Sequence, residues 1–152
     1  MPYGCGRCAS YAGDVTVPDP ALLAKLRAAI SSGPPLRLAV LFGSRATGRA
    51  TTRSDADVGI VPMDRQLVLG EELALASALS AACGLEVDVV RLDEDAPLLG
   101  REVAHSGLLL FEAEPGTFTA WRATAMSRFI EFEEIIAPHR ERFLRRLAGG
   151  RA

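Results

Sequence analysis

Residues 41–61 read LFGSRATGRATTRSDADVGIV, and the fold turns on how this stretch is read. An apolar run, Leu36 to Phe42, stops at Gly43-Ser44, and ten residues later Asp55 and Asp57 flank a single alanine at the head of a second apolar run. Short apolar runs bounded by glycine or proline read as buried strands, so 36–42 and 57–61 are predicted strands, with Pro62 ending the second. In a strand, residues two apart share a face with Cα atoms roughly 6.5 to 7 Å apart. Asp55 and Asp57 would then project together, either as solvated turn residues or as holders of something positive.

Working outward, Asp19-Pro20 provides a helix cap and a first-turn proline. Leu22, Leu23, Leu26 and Ile30 give that helix an apolar face to about Ser32, where SGPP stops it. Residues 65–83 are rich in Leu and Ala, and Leu69, Leu73, Ala76, Leu79 and Cys83 predict one buried helical face closed by Gly84. LEVDVVRL at 85–92 is a third predicted strand, 96–106 a helix ending at Gly107, and LLLFE at 108–112 a short fourth strand. From Thr117 onward Phe118, Trp121, Ala125, Phe132 and Ile136 follow a helical period, with Pro138 expected to kink the helix or start a new segment. Strands interleaved with helices predict an α/β (α+β) fold, a small mixed sheet packed by helices. Residues 1–18, rich in Gly, Ser and Pro, read as a flexible leader, and 19–148 as one domain without repeats.

Composition narrows the function classes. The chain has 152 residues, 49% hydrophobic and 24% charged, enough for one domain with a proper core. A formal charge of -2 gives no bulk drive toward nucleic acid. No stretch approaches the ~18 apolar residues that suggest a membrane span, and the N-terminus lacks a secretory apolar region, so a cytoplasmic protein is expected. Cys5 and Cys8 form a lone Cys-x-x-Cys, and Cys83, His105 and His139 lack zinc-ligand spacing relative to it. Free thiols are the expectation, ahead of a metal or redox site.

Asp88 sharpens the question. Flanked by Val87 and Val89, it would point to the face opposite theirs, and neighbouring second and third strands would gather three carboxylates on one patch. Three anions in a partly dry site call for a cation, and Mg²⁺ takes oxygen ligands from a few carboxylates plus phosphate oxygens. Two such ions about 3.5 to 4 Å apart could clamp the attacking and leaving oxygens of a nucleotidyl transfer. Gly43 would let a phosphate approach the backbone, the Ser44 hydroxyl could bond it, and Arg45, Arg49 and Arg53 could neutralise what a metal does not reach. Each feature alone is more often a turn, a cap or surface charge. Their combination favours a metal-dependent nucleotide site.

Gly43-Ser44, ten residues, then Asp55-x-Asp57 resembles the Gly-Ser-x₁₀-Asp-x-Asp signature of the DNA polymerase β-like nucleotidyltransferase superfamily. GSRATG, RSDADVGIV, LEVDVVRL and VAHSGLLLFE look most like the minimal nucleotidyltransferases (MNT) paired with HEPN-domain toxins, a likeness running from about Leu36 to Phe111. The resemblance implies a polymerase β-like fold with the active site at one sheet edge and a long C-terminal helix. It implies Asp55 and Asp57 as metal ligands, Asp88 as a third ligand or general base, and a nucleotide site of Gly43, Ser44, Arg45, Arg49, Arg53 and Ser54. It further implies two Mg²⁺ ions in turnover, ATP as substrate, and transfer of AMP to a tyrosine of a HEPN ribonuclease toxin, which is silenced in a hetero-oligomer. Two alternatives are nucleotidyl transfer to a small molecule such as an aminoglycoside, and an antitoxin that binds its toxin without catalysis. The pattern departs where many relatives carry Arg two residues after the position of Arg45: here stands Thr47, leaving Arg45 or Arg49 to substitute. The C-terminal segment, acidic then basic, reads as a solvated amphipathic helix whose Trp121 and Phe132 cover the sheet, or as a docking surface for a partner.

Overall fold

A computed structural model describes residues 18–64, 67–92 and 96–149. The first helix, α1 (Pro20–Ser31), starts as its sequence dictates: the Asp19 side chain accepts a hydrogen bond from the Ala21 amide at 2.9 Å. Leu22, Leu26 and Ile30 are its buried stripe. The apolar run at 36–42 is β1 (Leu36–Phe42), and DVGIV lies in β2 (Ala56–Pro62). Between them Gly43–Ala46 forms one short turn of helix, α2. Then follow α3 (Leu69–Cys83), β3 (Val87–Arg91), α4 (Pro97–Ser106), β4 (Leu108–Glu112) and α5 (Thr117–Gly149).

The strands form one mixed sheet in the order β3-β2-β1-β4. β1 pairs antiparallel with β2 and β4, while β2 and β3 run parallel, joined by the α3 crossover that parallel pairing requires. β1 is therefore central, which explains why it is apolar on both faces. Leu36, Ala39 and Leu41 join the core beneath α1 and α3 together with Val58, Ile60, Leu75, Leu79 and Val87. Leu38, Val40 and Phe42 face the other way, against Val103 of α4 and Phe118 of α5. A register shift between Leu36 and Leu38 puts these two leucines on opposite faces despite their spacing. The layers are helix, sheet, helix.

Two expectations need correction. Leu79 is buried and Cys83 packs on the core as expected, but Leu69 and Leu73 are exposed and Leu75 takes their place. The Ala/Leu composition of α3 leaves few polar residues to mark the outer face, so the periodicity misplaces the N-terminal half of the inner one. Pro138 starts no new element; it lies inside one helix that runs from Thr117 to Gly149. Proline removes the bond to the carbonyl of Glu134, and both residues are exposed, where water can satisfy that oxygen. Trp121 packs on the core beside Phe118 as expected, and Phe132 is half-buried. The leader with Cys5 and Cys8 lies outside the described residues, apart from Pro18. Among the described residues, no helix is long and apolar enough to cross a membrane.

Candidate active site

Gly43 ends β1 with φ at +71°, a conformation that L side chains rarely adopt. A second constraint is tighter. A Cβ at this position would collide with the Asp57 carboxylate and lie 3.4 Å from its Cγ. The glycine of the Gly-Ser pair and the second acid of the Asp-x-Asp pair are thus in direct apposition. Strand register produces this: Phe42 is paired with Asp57 across β1 and β2, and Asp57 with Asp88 across β2 and β3. The three features form a row across one end of the sheet.

The faces follow from alternation. Ala56, Val58 and Val87 are buried in the α1/α3 core, with Val89 packed against it, so Asp57 and Asp88 project toward the α4 side. Asp57 is half-buried, whereas Asp88 and Asp55 are exposed. Asp55 lies one residue ahead of β2, so it reaches the site from the loop and not from the strand. Burial pushes the Asp57 carboxyl above its ordinary value, and the negative charges of Asp88, Glu102 and Asp55 push it further the same way. Sequence reasoning missed Glu102. It lies on α4 beside the buried Val103, and only the packing of α4 across the sheet end brings its charge near Asp57.

The segment from Gly43 to Ser54 is tied together by its own side chains. Arg45 donates from Nε to the Ser54 carbonyl at 2.8 Å and from Nη2 to the same oxygen, which fastens α2 to the residue preceding Asp55. The Ser54 hydroxyl accepts from the Thr51 amide at 2.9 Å. Thr47 Oγ1 donates to the Gly43 carbonyl at 3.1 Å and closes α2 at its C-terminal end. Arg49 Nε donates to Thr47 Oγ1 at 3.1 Å, so a cation does rest on the position where the family pattern has Arg. Ser44 is half-buried beside Gly43, and Arg53 is exposed, with its amide donating to Thr51 Oγ1 at 3.3 Å.

The donor chemistry suits a hard divalent cation: the negative charges that push the Asp57 carboxyl up would be relieved by a positive one. Among the described residues, no three His, Cys, Asp or Glu side chains close around a common point. An ion held here would need further oxygens, which nucleotide phosphates and water supply to Mg²⁺. Cys83 lies at the end of α3, its thiol pushed up by burial, and is a free cysteine with no role at this site.

This arrangement has counterparts. Residues 24–115 match the family model for Polymerase beta, Nucleotidyltransferase, and the chain belongs to that family. Among solved structures, a chain of a toxin–antitoxin complex with AMP-PNP superposes with a TM-score of 0.71 at 22% identity, over 80% of this chain and 98% of that one. An MntA–HepT toxin–antitoxin chain gives 0.66 at 20% identity, over 81% and 97%. A complex of tri-AMPylated Shewanella oneidensis HEPN toxin with MNT antitoxin gives 0.65 at 20%, over 81% and 96%. These likenesses establish a shared fold over the whole domain. A search of curated sequences gave no match.

Proposed function

We propose that this chain is an antitoxin nucleotidyltransferase that moves AMP from ATP to a tyrosine of a cognate HEPN ribonuclease toxin and so silences it. The observation that carries this reading is the apposition of Gly43 with Asp57, in register with Asp88. It unites the two halves of the Gly-Ser-x₁₀-Asp-x-Asp signature in a domain matched along its length by toxin–antitoxin chains. One of those neighbours holds an ATP analogue, and another accompanies an AMPylated HEPN toxin.

In this reading the triphosphate lies over Gly43 and Ser44, where the missing side chain lets a phosphate approach the backbone. Arg49 and Arg53 neutralise phosphate charge from the loop, while Arg45, through Ser54, fixes the distance between that seat and Asp55. Asp55 and Asp57, with Asp88, would hold Mg²⁺, two ions in turnover; bound there, it neutralises phosphate charge and lowers the cost of charge developing on the leaving oxygen. The tyrosine oxygen attacks the α-phosphorus, a new P–O bond forms, and the bond to the β-phosphate bridging oxygen breaks. Pyrophosphate leaves. The tyrosine proton passes to a carboxylate, and Asp88, outside strict metal ligation, is the general base of this reading. Most of the acceleration comes from positioning and charge neutralisation.

Co-expression with the product of the neighbouring gene tests the reading. Wild-type protein should restore growth, and the Asp55→Asn, Asp57→Asn double variant should not, although it still folds. Full protection by that variant would mean that neutralisation proceeds by occlusion and not by AMP transfer.

A further inference from the structure

Beyond the active site, α5 carries a surface that the domain does not use. Its residues buried against the domain are Phe118 and Ala125, and positions 138–149 are exposed without exception. Twelve helical residues without tertiary cover are marginal by themselves, since isolated helices gain most of their stability from packing an apolar face. That face is present. Met126, Ile130, Leu144 and Leu147 are between 38% and 61% exposed, and with Glu133, Ala137 and Arg140 they fall at alternating spacings of four and three. Such spacing draws one stripe along a helix, here three heptads and roughly 32 Å long.

The order of residues along this stripe identifies what covers it. About Ala137 the pattern is self-complementary: Glu133 and Arg140 flank it, Ile130 and Leu144 lie seven residues away on either side, and Met126 and Leu147 close the ends. We propose that this stripe is a homodimer interface, in which two copies of the chain pair through their α5 helices in antiparallel orientation, crossing at Ala137. Met126 then faces Leu147 of the second copy, Ile130 faces Leu144, and Glu133 faces Arg140, each contact made twice by the two-fold axis. The small side chain of Ala137 lets the helices approach at the crossing. A parallel pair would set Glu133 against Glu133 and Arg140 against Arg140, so the charges select the antiparallel one. In the single chain Arg140 and Glu133 meet along the helix at 3.3 Å, and pairing exchanges that bond for its equivalent across the interface.

Light scattering on the full chain tests this. At micromolar concentration the wild type should weigh twice the 16.2 kDa of one chain. Glu133→Arg alone and Arg140→Glu alone should each weaken self-association by about tenfold or more, because each sets like charges together. An equimolar mixture of the two variants should recover a dimer, now containing one of each, which also shows that both are folded. Leu144→Lys, on an exposed helix surface, should give monomer while far-UV circular dichroism keeps the domain's signal. A monomeric wild type, variants that dimerise as the wild type does, or a mixture that fails to associate would each overturn the proposal. So would substitutions that spare self-association and weaken binding of the HEPN partner instead.

Discussion

At the scale of single residues, Asp57 is where competing demands meet. Its carboxyl is partly removed from water and faces Asp88, Glu102 and Asp55, so its folded-state proton affinity lies above the ordinary carboxylate value. The native state therefore binds more protons than the unfolded chain between that ordinary value and the raised one, and stability falls as pH rises through this window. Without divalent cation, Asp57→Asn should stabilise the protein at neutral pH, by less than about 1 kcal/mol for so solvent-screened a cluster. Mg²⁺ with ATP should raise the melting temperature of the wild type, since a ligand that binds only the folded state stabilises it, and should leave the variant nearly unmoved. A variant less stable than wild type in chelator would show that these carboxylates serve the fold and not a cation.

At the scale of elements, legibility depended on contrast. β1 and β2 were readable because apolar runs end at Gly43 and Pro62, and β3 because Glu86 and Asp88 alternate with Leu85, Val87 and Val89. α3 offered no such contrast, so Leu79 and Cys83 were legible on its inner face but Leu75 was not. Leu79→Ala should cost about 2 to 5 kcal/mol, as a fully buried leucine leaves a cavity, while Leu73→Ala should stay within about 0.5 kcal/mol. Urea unfolding of the two variants measures the difference, and equal losses would return Leu73 to the core. That the helix continues through Pro138 was hidden for a related reason: sequence alone does not show that this turn is exposed, where water can satisfy the freed carbonyl. Of the site, Gly43, Ser44, Asp55, Asp57 and Asp88 were legible from spacing. Glu102 was not, since nothing in α4 marks which of its exposed residues lies across from the sheet end. The commitment of Arg45 to the Ser54 carbonyl was equally hidden, because a loop's internal bonds follow from its closure and not from residue type.

At the scale of the molecule, a mixed sheet covered by helices on both faces leaves one strand end as the place where acids and a glycine turn converge. α5 is exposed along its last twelve described residues and supplies a separate surface for assembly. The proposed function comes down to one claim: the row from Gly43 through Asp57 to Asp88 transfers AMP to a protein. Intact-mass spectrometry of the proposed HEPN partner tests that claim most directly. After incubation with this chain, ATP and Mg²⁺, the HEPN protein should gain the mass of one or more adenylyl groups on tyrosine, and with Asp55→Asn, Asp57→Asn it should gain none. An unmodified partner in the presence of wild-type protein, or an aminoglycoside adenylylated in its place, would contradict it.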